Sequence, residues 1–238
     1  MVDGGIKWLE TCGSTNDEAR RLEATGSIDT VVAFHQTKGR GRLARQWHSP
    51  PLSGLYLSWV AQPCLPLEAG GSIPLLAAIA TAELCRERGV KVQVKWPNDV
   101  LVDDAKLAGI LCEARSGTDG WTVVVGIGLN VLTPAGGWPK ELNAIALDSL
   151  VAEPPDRHEL AVELRDRLRR ELSIAENKGL SHVIERWLQY GPPSGTMMRR
   201  GDRVGRFAGL SEDGSLRLET SAGIEIIHSG DVDLVDKE

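Results

Sequence analysis

Trp121-Thr-Val-Val-Val-Gly-Ile-Gly-Leu-Asn-Val131 is the stretch that decides the fold. Its β-branched residues suit a pleated surface, and a run so apolar reads as a buried strand. Working outward, Leu107 to Ala114 is a second strand of the same kind, and Lys91-Val-Gln-Val-Lys-Trp96 alternates with period two. Leu55-Tyr-Leu-Ser-Trp-Val60 and Thr30-Val-Val-Ala-Phe-His35 add two more. Strands thus come in runs and are not each followed by a helix, which predicts an α+β fold with a mixed or antiparallel sheet.

Helices are expected in four places. Thr15 and Glu18 have the spacing of a capping box, so a helix over about 16–25 is predicted, with Gly26 as its stop. Residues 72–88 begin with Ser72 and Pro74 and are followed by Gly89, the start and stop signals of a central apolar helix. Leu160, Leu164, Leu168 and Leu172 recur every four residues on a charged segment from about Asp156, the mark of an amphipathic helix lying on a sheet. Another helix is expected over about 181–190. At Gly191-Pro-Pro-Ser-Gly195 the composition changes, and the short segments 202–207, 215–219 and 223–227 are separated by Gly and Asp turns. The chain is therefore divided into a main domain, 1–190, and a small β-barrel module, 191–238.

The 27 Lys and Arg residues against 33 Asp and Glu give a net charge of -6, so there is no chain-wide basic field for nucleic acid. Cys12, Cys64, Cys85 and Cys112 are widely spaced, with no C-x-x-C pair and no zinc spacing, and read as reduced thiols. Met-Val-Asp-Gly-Gly5 lacks a basic region followed by an apolar one, and the apolar stretch Ile73 to Cys85 is interrupted by Pro74, Thr81 and Glu83. A cytoplasmic protein without a membrane partner is expected.

Three stretches invite a ligand. Lys38-Gly-Arg-Gly-Arg-Leu-Ala-Arg45 holds four basic residues and no acid, and arginine meets phosphate or carboxylate bidentately while glycine lets the backbone approach. It reads either as an anion-binding mobile loop or as a solvated basic surface. It is not a dinucleotide fingerprint, since the third glycine and the following helix are missing. Trp47, just beyond, can stack on a purine or simply pack. In Lys95-Trp-Pro-Asn-Asp99, Pro97 ends ladder pairing and Asn98 offers both donor and acceptor to a base edge, with a plain turn as the alternative. Lys106 stands at the threshold of an apolar strand, poised to neutralise an anion or only to guard an edge. Gly126 and Gly128 weaken an otherwise strong strand, marking either a close approach by a ligand or backbone, or a β-bulge.

Ser14-Thr-Asn16, then Gln36-x-x-Gly-Arg-Gly-Arg42 with Trp47, Lys95-Trp-Pro-Asn-Asp99, Lys106-Leu-Ala-Gly-Ile-Leu111 and Gly126-Ile-Gly-Leu-Asn130 occur in that order. This set resembles the biotin protein ligases, from about Ser14 through the C-terminal module. The resemblance implies a class II synthetase-like catalytic domain with helices on a mixed sheet, followed by an SH3-like barrel. It also implies an ATP-dependent enzyme that makes biotinyl-5'-AMP, releases pyrophosphate, and passes the biotinyl group to a lysine of a biotin carboxyl carrier domain. By that similarity Ser14, Thr15, Asn16 and Gln36 bind the biotin ureido end, and Gly109 lines its tail with the glycines of 126–130. Arg40, Gly41 and Arg42 fold over the ligand, Arg40 and Arg42 contacting both the biotin carboxylate and the ATP phosphates, and Lys106 bridges the biotin carboxylate and the α-phosphate. Lys106, Arg40 and Arg42 are the expected catalytic residues. Trp47 covers the adenine, Asn98 and Asn130 meet its edge, and Asp99 supports the phosphates or a Mg²⁺ carried on them; no protein-held metal site is expected.

Two features depart from the family's usual pattern. Leu43 and Ala44 stand where many members carry a basic residue and glycine, which implies a stiffer, less positive loop. Only about a dozen residues precede Ser14, too few for a helix-turn-helix domain, so DNA binding is not expected. The related lipoate and octanoate ligases or transferases are the competing reading. They generally lack Lys-Trp-Pro-Asn-Asp followed by Lys-Leu-Ala-Gly-Ile-Leu.

Overall fold

The computed structural model describes residues 1–22, 28–118 and 120–235. Its main sheet has the order β1 (Val2–Asp3), β2 (Ile6–Leu9), β3 (Thr30–Ala33), β4 (Gly54–Ala61), β8 (Gly120–Asn130), β7 (Ala105–Gly117), β6 (Asp99–Val102), β5 (Gln93–Lys95). All neighbours are antiparallel except β2 and β3. A parallel pair needs a crossover, and helix α1 (Thr15–Leu22) lies in the connection. The sheet is therefore mixed, as the runs of strands predict.

Alternation along the strands sorts their side chains onto two faces. Val32, Leu57, Trp59, Val125 and Ile127 join the main core, against α2 (Ile73–Arg86) and the amphipathic α3 (Arg157–Lys178). Their neighbours Val31 and Val124 pack instead with Ala19 of α1 on the other face. α3 is capped by Asp156, whose carboxylate accepts hydrogen bonds from His158 N at 2.7 Å and Glu159 N at 3.1 Å, so it sits below its usual range. The four leucines of the expected stripe are all buried. α4 (Leu180–Tyr190) completes this layer, and its Arg186 pairs with Glu171 of α3 and Glu83 of α2. Leu67–Arg86, a 3₁₀ turn running into α2, is long and apolar enough to cross a membrane, but two thirds of its most apolar part is buried in the core.

The second sheet is antiparallel, in the order β12 (Gly223–Ile227), β11 (Leu216–Thr220), β10 (Arg203–Leu210), β9 (Met197–Arg200), β13 (Asp233–Leu234), an SH3-like unit. Its Met198, Phe207, Leu216, Leu218 and Ile227 continue the main core, and the Phe207 ring centroid lies 6.3 Å from that of Trp187 in α4. Trp96 Nε1 donates to Gly214 O at 3.0 Å, which ties the end of β5 to the β10–β11 turn.

The structure corrects several local expectations. α1 starts at Thr15, not 16, and the expected Gly26 stop lies outside the described residues. Glu18 N bonds to the Ser14 carbonyl, while the Thr15 hydroxyl turns to Gln36, so the capping box is not formed. The strand expected over 91–96 is only Gln93–Lys95, and β1, β2, β6, β9 and β13 were not foreseen.

Candidate active site

The α1 face of the sheet opens into a cleft of about 370 Å³, within the range of small-molecule sites. Ser14, Thr15, Asn16, Gln36, Arg40, Gly41, Arg42, Trp47, Asn98, Asp99, Lys106, Gly109 and Asn130 all line it. The topology thus gathers every expected site residue at one place.

Its floor is β7 and β8, where Gly109 lies opposite Gly128 and Leu111 opposite Gly126. A Cβ on Gly128 would stand 2.3 Å from Trp47 Nε1, and one on Gly109 2.7 Å from the Trp47 ring. A Cβ on Gly126 would meet Asn16 Oδ1 at 2.2 Å. β8 pairs with β4 and β7 throughout, so these glycines mark close approach and not a bulge in β8. Trp47 lies flat on the Gly109/Gly128 pair, and its Nε1 is buried without a hydrogen-bond partner among the described residues.

At the α1 end a polar network is fixed by proton counting. Asn16 Nδ2 faces two acceptors, Glu113 Oε2 at 2.6 Å and Leu111 O at 3.3 Å, so its Oδ1 must accept from Ser58 Oγ, 2.6 Å away. Ser58 is wholly buried and also lies 2.8 Å from Thr15 Oγ1. Gln36 Oε1 accepts from Thr15 N at 2.8 Å and Thr15 Oγ1 at 3.1 Å, while its Nε2 donates to Ser49 Oγ at 3.1 Å. Ser49 Oγ in turn donates to Trp47 O at 3.1 Å. Ser14 is buried beside these groups and lines the cleft with them.

At the other end, a bulge aims Lys106. Val100 pairs with Ala108 and Leu101 with Lys106, so β7 carries one extra residue, Leu107, at this point. Leu107 and Ala108 both enter the core, and the alternation that would bury Lys106 is reversed. Its Nζ comes 2.8 Å from Asp99 Oδ2 and 5.9 Å from the Trp47 ring centroid. Asn130 Nδ2 donates to Lys106 O and Ile145 O, both at 3.0 Å, and Lys106 N donates to Asn143 O at 2.9 Å. The lysine backbone is thus braced on both sides. Asp99 Oδ1 is buried without a hydrogen-bond partner among the described residues. Asn98 Nδ2 donates to Ile110 O at 2.7 Å, so its amide also braces β7.

Over the floor stands the arginine loop, a tight hairpin. Arg40 pairs across it with Gln46, Gly41 N donates to Arg45 O at 2.7 Å, and Arg45 N to Arg42 O at 3.1 Å. Its tip residues, Leu43 at φ 52° and Ala44 at φ 59°, both occupy the left-handed region, which costs an L residue about 1–2 kcal/mol. The Arg40 guanidinium is held by Asp17, with Nη1 2.6 Å from Oδ2 and Nη2 2.8 Å from Oδ1. The hydrogen bond from Arg40 holds the Asp17 carboxyl below its usual value, despite partial burial. Arg42 donates weakly to Asn98 Oδ1 at 3.4 Å and Gly230 O at 3.3 Å, and forms no ion pair among the described residues. Arg45 pairs with Asp231 at 2.6 Å, so the C-terminal unit touches the hairpin.

Sequence reasoning missed Ser58, Glu113, Asp17, Ser49 and the cleft-lining Trp138, whose ring lies 6.1 Å from that of His48. Ser58 and Glu113 did leave a signal, each being a lone polar residue in an apolar strand run. All four cysteines are free thiols, and burial, then Glu18 and Asp17, pushes Cys12 up to about 11. No group of three His, Cys, Asp or Glu side chains able to hold a metal occurs among the described residues.

Residues 6–130 match the biotin/lipoate A/B protein ligase family, and 196–235 the biotin protein ligase C-terminal domain. The chain is 34% identical to the bifunctional ligase/repressor BirA of Bacillus subtilis, over 94% of this chain and 72% of that protein. It is also 34% identical to the biotin--[acetyl-CoA-carboxylase] ligase of Mycobacterium tuberculosis, over 98% of this chain and 91% of that one. Among solved structures, the biotin protein ligase from Aquifex aeolicus in complex with biotin and ATP superposes with a TM-score of 0.81 at 29% identity, covering 99% of this chain and 100% of that chain.

Proposed function

The chain belongs to the biotin/lipoate A/B protein ligase family, and from that membership we propose how its cleft works. It is an ATP-dependent biotin protein ligase. Biotin and ATP combine as biotinyl-5'-AMP: a biotin carboxylate oxygen bonds to the α-phosphorus, and pyrophosphate leaves. The amine of an acceptor lysine then attacks the carbonyl of the mixed anhydride, and AMP leaves. The acceptor is a biotin carboxyl carrier domain.

The observation that carries our assignment of roles is the bulge at Leu107, which turns a lysine onto the same face as the glycine floor and the Ser14–Asn16 turn. The α1 network takes the ureido group, through Ser14, Thr15, Asn16 and Gln36. Gly109 and Gly128 give the flat floor for the apolar tail, which Trp47 covers in this structure and leaves, moving toward the nucleotide, when the tail lies there. Lys106 sits where carboxylate meets α-phosphate, and a fixed cation there offsets the repulsion of two anions in a site closed to water. Arg42, paired with no carboxylate among the described residues, reaches the phosphates, and Asn98 and Asn130 hold the wall beside them. Mg²⁺ carried on the ATP phosphates would neutralise the leaving pyrophosphate. Asp99, with one buried oxygen unpartnered, suits an ion that keeps phosphate and water ligands. Closing the arginine hairpin shields the anhydride from water.

The rest of the reading is also proposed: a catalytic domain over 1–190 and an SH3-like unit over 191–238, a cytoplasmic location, and no nucleic acid or membrane partner. The net charge of -6 supports the absence of a nucleic acid partner. The test is pyrophosphate release with ATP and Mg²⁺ on biotin, lipoate and octanoate, with mass detection of the adenylate. Release with biotin alone, and biotinyl-5'-AMP in the tube, is expected. Release with lipoate or octanoate would move the chain to the sister activities.

A further inference from the structure

Lys106 and Glu113 lie seven residues apart on β7, roughly 20 Å along the strand at ~3.3 Å per residue. The Arg40 guanidinium is at the Glu113 end, 3.5 Å from Glu113 Oε2 and doubly bonded to Asp17. It therefore stands with Asn16 and not with Lys106. Arg20 closes the group by pairing with Glu113 and lying 3.4 Å from Asp17, so two carboxylates and two guanidiniums balance.

We propose that Asp17 is a positioning residue for the biotin end of the cleft: its carboxylate clamps Arg40 and so seats the base of the arginine hairpin against α1. The proposal rests on the biotin ligase reading. Arg40 is the first arm of the hairpin, paired to Gln46, and its neighbour Gly39 packs under Ser49 and against Gln36. A Cβ on Gly39 would meet Ser49 Oγ at 2.5 Å and Gln36 Nε2 at 3.2 Å. Fixing Arg40 thus fixes the segment beside Gln36, whose amide closes the ureido network. A guanidinium has five N–H donors, and the bidentate pair uses two, leaving Nε–H and one hydrogen on each Nη for the cleft. Glu113 does double service, holding the Asn16 amide in one orientation and standing as the nearest other acceptor for Arg40. No step of the chemistry passes through Asp17, so its influence reaches the reaction only by way of Arg40.

The test is a double-mutant cycle on the full chain, read by biotin-dependent exchange of labelled pyrophosphate into ATP. Asp17→Asn keeps the size and removes the charge. It is expected to raise KM for biotin roughly tenfold, the scale of one charge-assisted pair, with kcat and the KM for ATP within about twofold. In an Arg40→Ala background the same substitution should add nothing. Asp17→Glu should recover part of the biotin KM, and circular dichroism with thermal melting checks each fold. If Asp17→Asn does not fold, Asp17→Ser carries the same cycle. An undiminished effect in the Arg40→Ala background would overturn the proposal, as would a fall in kcat with KM unchanged. Absence of biotin-dependent exchange in the unmodified chain would bring down the ligase reading itself, and the positioning role with it.

Discussion

Lys106 and Arg40 both bring positive charge to one cleft and both face a carboxylate, yet they are held by different means. Lys106 is aimed by the sheet: a bulge sets its direction, and Asn130 and the 143–145 segment pin its backbone. Arg40 rides on a hairpin, and its guanidinium is held by the hydrogen-bonded carboxylate of Asp17 on α1. The contrast teaches where rigidity and motion are placed. On the proposed reading, the cation that meets two repelling anions is part of the scaffold, and the one beside the ligand's far end rides on the hairpin that closes.

Four changes would break or sharpen this contrast. Lys106→Ala should lower adenylate formation by about 10³-fold or more, because a fixed charge in a dry site has no substitute, while the melting temperature stays near that of the unmodified chain. Normal turnover, measured by pyrophosphate exchange, would remove Lys106 from the centre of the reaction. Gly128→Ala comes next: its Cβ would strike the Trp47 indole and crowd the floor, so the biotin Kd should rise about tenfold or more, as read by isothermal titration with biotin alone. Unchanged affinity would show that the floor is not where the tail lies.

The third concerns acid. Asp17 has a folded pKa below its ordinary value, so the Asp17–Arg40 pair adds stability that is complete above the ordinary carboxyl range and is lost as pH falls through the folded value. The melting-temperature gap between the unmodified chain and Asp17→Asn should therefore be constant above about pH 5 and shrink below about pH 4. A gap that persists at low pH would mean that the charge does not hold the pair. The smallest effect belongs to the hairpin tip, where Leu43→Asn with Ala44→Gly puts residues suited to positive φ at both positions. A gain of up to about 1 kcal/mol in chemical denaturation is expected, since the unfolded chain also gains freedom from the new glycine. A loss would show that the tip is not strained.

How much of this was legible depended on what held each part. α3 declares itself through a leucine every four residues and a capping Asp156, and β8 through its β-branched run, because burial of a long regular element leaves a periodic trace. β6 leaves none: Asp99–Val102 is a strand only because β5 and β7 flank it. In the site, the glycines and arginines were visible because few other residues fit those places. Asp17 reads as ordinary surface charge and Glu113 only as one polar residue in an apolar run, and it is the pairing of α1 with the hairpin and β7 that gives them work. At Leu43-Ala44 the structure adds two left-handed residues at the hairpin tip, which no composition could reveal.

The bulge at Leu107 carries one more lesson. A strand counts in twos, and Lys106 reaches the cleft because β7 miscounts once on the way to Gly109. Were β7 to pair regularly here, with Leu107 in place of Lys106 opposite Leu101, every interacting group would remain in the chain and the ammonium would still point to the core side of the sheet, into hydrocarbon. For this protein the reading frame of the backbone, as much as the identity of any side chain, writes the chemistry.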